Sequence, residues 1–317
     1  MNQSAKKILK NAIKILITLG GLCYVFSKVP LNDALSLWTS KALLWLLLIF
    51  ALTILFMAIQ ANRWRGLLLN EGRKIPFKSF YAYIALGYFF NNLLPSNFGG
   101  DAVKTIAFGR RFGKMANSVA AIIVSRIMGL LAMFFSFFIA LPFVAVEYNI
   151  PMTYVAVVCI LALIALIVIF LGLFSDKIKL PAPLTTKFPF LLKLQDAFCL
   201  YRKYKKEFFL SGLDSIWLQA ITIIIHWAYF KAMGVDVNFA VITVFTTIMV
   251  TFTMLPISIN GIGIRENVQI SLYTGLLSIP ADIVLASTLF SYMPLLFQTI
   301  QGAIAFAILK EKNPSTK

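Results

Sequence analysis

Long apolar runs separated by short, mostly basic intervals organise this chain. The runs lie at roughly 8–27, 42–61, 77–94, 117–141, 152–174, 211–231, 239–255 and 283–309, with a shorter apolar piece at 268–279. The longer ones approach the ~20 residues that a helix needs to cross a bilayer. Alternating ten-residue patterns, the mark of a membrane β-barrel, are absent. The pattern predicts an all-α integral membrane protein with about eight apolar segments. Only 175–208 is a sizeable polar interval. Within it Leu191, Leu194, Phe198 and Tyr201 recur at helical spacing beside Lys193, Arg202, Lys203, Lys205 and Lys206. That suits either an amphipathic helix on the cytoplasmic membrane surface or a solvated linker.

Two apolar runs end in breaks of the same kind. At 91–104 the chain reads NNLLPSNFGGDAVK. Pro95 ends the preceding helix, Gly99 and Gly100 permit close backbone approach, and Asp101 stands where the next helix begins. Asn92 and Lys104 flank this break. At 254–266 the order recurs: Leu255-Pro256, a turn with Gly261 and Gly263, then Arg265 and Glu266. Such interruptions are tolerated at membrane depth only inside protein or beside a water-filled cavity.

Charge then sets the topology. The net +17 is spread between the apolar runs, which points to membrane orientation and anionic headgroups and away from nucleic acid. Intervals 63–78, 104–114 and 177–206 hold five, four and eight Lys/Arg, while 142–151, 28–41 and 231–238 hold none, two and one. The first three are therefore expected in the cytoplasm and the last three outside. Intervals 63–78 and 104–114 flank a single apolar run, so both are cytoplasmic only if 77–116 is a re-entrant hairpin. A second hairpin at 239–280, opening outwards, satisfies the count for the remainder. The expectation is about six full spans plus two hairpins, in two inverted halves (1–147 and 148–317) with both termini cytoplasmic. It leaves 24 of 29 Lys/Arg in the cytoplasm, three outside, and Arg126 and Arg265 in the membrane. The basic N-terminal start carries no small-x-small cleavage site, which predicts a retained first helix.

Arg126 and Arg265 are the residues that need an explanation. A central Arg costs ~2.5–3.5 kcal/mol on insertion scales, so it must face a partner or a ligand. Asp101 and Glu266 are the available partners, and a fixed ion pair is one reading. The other makes Arg126 and Arg265 contacts to an anion, with Asp101 and Glu266 orienting them or taking up a proton. The glycine turns would add backbone donors. His226 is the sole histidine and reads as an interior donor; Arg63-Trp64-Arg65 reads as an interfacial anchor. Cys23, Cys159 and Cys199 have no metal-type or disulfide spacing, and no cofactor is expected.

The motif NxLLPSxxGGDxxK, the Ser-Arg-Ile-x-Gly-Leu at 125–130, the Arg63-Trp64 pair and Gly-x-Gly-x-Arg-Glu at 261–266 together resemble the flippase-like family named for the transmembrane region of lysylphosphatidylglycerol synthase. The resemblance covers nearly the whole chain. It implies a multi-span protein of the cytoplasmic membrane that moves an anionic phospholipid or lipid-linked precursor between leaflets. Its site would comprise Asn92, Pro95, Gly99, Gly100, Asp101, Lys104, Arg126, Gly261, Gly263, Arg265 and Glu266. Some relatives carry a soluble transferase domain after the membrane part, and that activity is not expected here. The alternatives are a secondary transporter of a small organic anion and a membrane-embedded lipid-modifying enzyme. No nucleophile–base pair is visible for the last.

Overall fold

Apolar runs become helices because a helix satisfies its own backbone groups where no water is present. The computed structural model describes residues 31–93, 99–113, 115–175, 190–255, 258 and 260–311, and every regular element among them is a helix. The expected first span at 8–27, Pro95, Pro256, the stretch 176–189 and the tail beyond 311 lie outside the described residues.

A short helix α1 (Leu31–Ser36) leads into the 28-residue α2 (Ser40–Leu67). Then come α3 (Leu69–Arg73), α4 (Phe77–Leu93), α5 (Gly99–Phe112), the 31-residue α6 (Met115–Ala145) and α7 (Met152–Leu173). After α8 (Phe190–Lys203) the 28-residue α9 (Lys205–Ala232) and α10 (Phe239–Met254) follow. Next α11 (Ile264–Gln269) runs through a π-helical turn, Ile270–Thr274, into α12 (Gly275–Leu277). The last pair, α13 (Ala281–Phe290) and α14 (Tyr292–Glu311), is one long helix interrupted at Ser291. Five of these are long and apolar enough to cross a membrane: α2, α6, α7, α9 and the α13–α14 pair. They coincide with the apolar runs at 42–61, 117–141, 152–174, 211–231 and 283–309. Their outward residues, such as Leu44 and Leu47 on α2 and Leu163 on α7, stay exposed as lipid-facing positions require.

The runs at 77–94 and 239–255 instead form arms of hairpins. Phe80 and Tyr83 on α4 pack on Phe108 of α5 at 5.2 and 5.3 Å between ring centres, and Asn91 meets Gly100. The pairing is antiparallel, so the chain returns to the side it came from. Likewise Phe245 of α10 packs on Tyr273 at 5.0 Å, and Gly261 sits against Thr253. The described parts of the three basic intervals share one face. There Asn117 donates to Glu71 at 3.2 Å, Arg73 pairs with Glu207 at 3.1 Å, and the Tyr201 hydroxyl donates to the Leu67 carbonyl at 2.9 Å. Phe198 and Tyr201 of α8 are buried against the bundle, so this part of the helix's apolar stripe packs on protein.

Helices α2 and α9 run antiparallel in close contact. Arg63 Nη1 donates to Ser215 Oγ at 2.8 Å, and Asn62 to Asp214 at 3.1 Å. Helix α14 lies along α4, where Gly302 is obligatory: a Cβ would stand 2.3 Å from the Ala85 carbonyl oxygen. This small-residue contact draws two backbones together without any hydrophobic drive from the lipid.

Candidate functional site

Asp101 owes its place to the break before it. α5 begins at Gly99, which puts Asp101 in the first turn, facing the positive end of the helix. Gly100 is fixed by proximity: a Cβ would stand 1.9 Å from the Gly87 carbonyl oxygen and 2.8 Å from the Asn91 nitrogen. Asn91 Oδ1 accepts from the Gly100 N–H at 2.8 Å. That backbone donor, expected to serve an anion, is therefore already bonded to protein.

The Asp101 carboxylate bridges two cations. One oxygen accepts from Arg126 Nε, and the other lies 2.5 Å from Lys104 Nζ. Arg126 is eleven residues into α6, ~16 Å along its axis at the usual rise. The expected pairing of Asp101 with Arg126 is present, and Lys104 shares it. Lys104 is buried, with its ammonium 5.7 Å from the Trp64 ring centre. Trp64 in turn packs edge-on to Phe80 and tilted on Phe108, locking α2, α4 and α5 beneath the charges.

These groups line a cavity of about 260 Å³ together with Gln60, Arg63, Tyr88, Asn91 and Ser125. Arg63 was expected as a surface anchor and is not one: it is 6% exposed, and Trp64 1%. Its Nη1 bonds the Ser215 hydroxyl and its Nε has no partner. Gly129, in the Ser-Arg-Ile-x-Gly motif, is where α6 passes the guanidinium: a Cβ there would lie 3.6 Å from Nη1. The signal that could have exposed Arg63 is its place within a helix that continues to Leu67. The 42–61 hydrophobic window stops short of that end.

The second break repeats the arrangement with different chemistry. Gly261 and Gly263 have φ of 75° and 83°, which side chains rarely adopt. Glu266 occupies the first turn of α11, as Asp101 does in α5. It is 1% exposed and accepts from the Gly263 N–H at 2.7 Å and the Tyr292 hydroxyl at 2.5 Å. Its partners are thus neutral, and Arg126 is not among them. Arg265 points elsewhere: Nη1 donates to Ser291 Oγ at 3.3 Å, the guanidinium lies 5.2 Å from the Tyr292 ring centre, and Nε is buried without a partner. Arg265 lines two further cavities, of about 440 and 190 Å³. His226 faces the smaller, its Nδ1–H bonded to the Thr222 carbonyl at 2.8 Å.

The hairpin tips join the two regions. Asn260 Nδ2 donates to the Asn91 carbonyl at 3.1 Å. Asn92 Nδ2 donates to the Leu295 carbonyl at 3.0 Å and to Thr299 Oγ1 at 2.8 Å. Tyr88 and Asn91 line both the 260 and the 440 Å³ cavities, so basic pocket and Arg265 space are neighbours across the tip. Of the residues expected at the site, Asn92, Asp101, Lys104, Arg126 and Arg265 line cavities. Gly99, Gly100, Gly261, Gly263 and Glu266 shape the turns beside them, and Pro95 lies outside the described residues. No cluster of metal-type ligands occurs among the described residues.

Residues 11–302 match the family described as the lysylphosphatidylglycerol synthase TM region. The UPF0104 membrane protein MJ1595 of Methanocaldococcus jannaschii is 21% identical, with 98% of each chain covered.

Proposed function

This chain belongs to the lysylphosphatidylglycerol synthase transmembrane-region family, and from that premise we propose that it is a translocase moving an anionic lipid between leaflets. The observation that carries the reading is the basic cavity, where Arg63, Lys104 and Arg126 face one carboxylate in the first turn of α5, near the tip of the first hairpin. A phosphate head leaving water needs replacement donors and opposing charge. This pocket offers both, and the lipid tails can remain in the bilayer while only the head enters.

The proposal includes an inverted repeat. Helices α2 and α9 have 28 residues each and run antiparallel, Arg63 meeting Ser215 near one end and Trp45 meeting Trp227 near the other. Glu266 follows Asp101 by 165 residues, and Tyr292 follows Arg126 by 166. In each half a hairpin carries an acidic residue in the first turn of its second arm, bonded to a residue early in the next long helix. Hairpins that enter from opposite faces and touch at their tips suit alternating access to one site. The basic face is assigned to the cytoplasm, with both termini there, in the cytoplasmic membrane. No covalent step is assigned to the site.

The test is a leaflet-exchange assay with purified protein in liposomes and a labelled anionic phospholipid, with and without a proton gradient. Exchange above protein-free vesicles is expected, and Arg126→Ala should abolish it while a surface change such as Lys41→Ala should not. Uptake of a water-soluble organic anion without lipid exchange would transfer the site to a small-anion transporter.

A further inference from the structure

The basic cavity is over-supplied with positive charge by more than one unit. Its titratable lining, among the described residues, is Arg63, Asp101, Lys104, Arg126 and Tyr88. With the Asp101 carboxylate set against Arg126, Arg63 and Lys104 still carry two positive charges that no carboxylate lining the cavity offsets. Both are deeply buried, at 6% and 9% exposure. Among the described residues Arg63 has no carboxylate within ion-pair distance; its Nη1 is held by a hydroxyl and its Nε by nothing. A cation in such a place, in a segment that crosses hydrocarbon, is costly unless an anion joins it.

We propose that this cavity takes a doubly charged phosphate group, a phosphomonoester or a diphosphate, in preference to the singly charged phosphodiester of common phospholipids. The inference rests on the proposed translocase only for the lipid to which that group is attached. Arg63 supplies a planar fork of donors from one wall and Lys104 a compact charge from another. Gln60, Asn91 and Ser125 provide neutral donors between them. The phosphomonoester group has three terminal oxygens to meet these walls, and the phosphodiester only two. A volume of about 260 Å³ accommodates the phosphate group with little beyond it, and the tail must lie outside.

The experiment compares phosphatidic acid with phosphatidylglycerol bearing identical chains, competing for the full-length protein in detergent, read by native mass spectrometry at pH 8. There the monoester carries nearly two charges. Occupancy by phosphatidic acid should exceed that by phosphatidylglycerol by about tenfold or more, the size of one added favourable charge contact. Arg63→Gln should bring the ratio close to one, and Arg63→Lys should restore most of it. Equal occupancy of the parent protein by the two lipids overturns the proposal, whether or not Arg63→Gln folds. So does an unchanged preference in a folded Arg63→Gln. A third arm adds glycerol 3-phosphate: displacement of phosphatidic acid at equal concentration would keep the dianion site but make its natural ligand a water-soluble phosphate. Leaflet exchange is measured separately. Selective binding without exchange upholds this inference and defeats the translocase, whereas exchange of phosphatidylglycerol at the phosphatidic acid rate does the reverse.

Discussion

Asp101 answers to two cations, and this changes what single substitutions should do. Removing Arg126 leaves the carboxylate still bonded to Lys104 at 2.5 Å, so no anion is stranded. Removing the carboxylate takes away the one acid that, among the described residues, lines the cavity with Lys104, Arg126 and Arg63, and leaves the buried Lys104 ammonium without its ion-pair partner. Breaking a buried pair from one side costs ~3–5 kcal/mol in soluble proteins, and less in membranes, where the unfolded chain also finds partners. Asp101→Asn should therefore lower the thermal midpoint in detergent clearly more than Arg126→Leu, although both should stop leaflet exchange. The reverse order of midpoints would mean that Asp101 is not the shared partner. At this scale the sequence was informative about acids and less so about bases. Arg126 stands out as a lone charge in an apolar run, and Asp101 and Arg265 as charges placed directly after a glycine-bearing break. Arg63 does not: beside Trp64 and Arg65 it has the composition of a membrane border. Its burial depends on α4, α5 and α6 closing over the end of α2, a set of contacts between segments far apart in the chain.

Among the elements, the antiparallel pairing of α4 with α5 follows from the break at 91–104, and the close approach at its glycines was legible, whereas the partner they approach was not. Gly100 is expected to permit a close backbone approach and to offer a backbone donor, and only the first of these is found. Its actual role is to let α4 and α5 touch at Gly87, with the donor closed by Asn91. Nothing local to 99–104 specifies that contact. The π-helical turn at Ile270–Thr274 was equally invisible, since its residues, ISLYT, carry no signal beyond apolarity. The hairpin itself makes a sharp claim about sidedness. Gly113, in the link between α5 and α6, is exposed on the basic face, and Asn149 is exposed beyond the far end of α6. With Cys23, Cys159 and Cys199 replaced by Ser, single cysteines at these positions should react with an impermeant maleimide from opposite sides. Asn149→Cys should label in intact cells, and Gly113→Cys only after the membrane is opened. Labelling of Gly113→Cys in intact cells would mean that the chain crosses the membrane only once between the two basic intervals, and that the parity argument from those intervals fails.

Across the whole molecule, hydrogen bonds at their tips join the two hairpins to each other and to α14. The tip of the first is tied to α14 through Asn92 and to the second through Asn91 and Asn260. These are hydrogen bonds between partly buried polar groups, each worth about 1 kcal/mol net, few enough to exchange during a transport cycle. Packing at Gly302 lies further down the same α4–α14 interface and brings backbone against backbone, so it is the better candidate for a fixed pivot. If the head passes from the Arg63–Arg126 cavity towards Arg265, it must cross the line of Tyr88 and Asn91 that both cavities share. The tip must then part from α14 in every cycle. Asn92→Cys with Thr299→Cys puts two sulfurs where side chains now touch at 2.8 Å. Bridging them with an oxidant or mercuric ion in proteoliposomes should stop leaflet exchange, and a thiol should restore it. Lipid occupancy by native mass spectrometry should meanwhile stay within about twofold of the reduced protein, since RT ln 2 is well under the 1.4 kcal/mol of a tenfold change. Exchange that continues at the reduced rate after complete bridging would show that the tip stays closed, and that the head takes a route outside the two cavities.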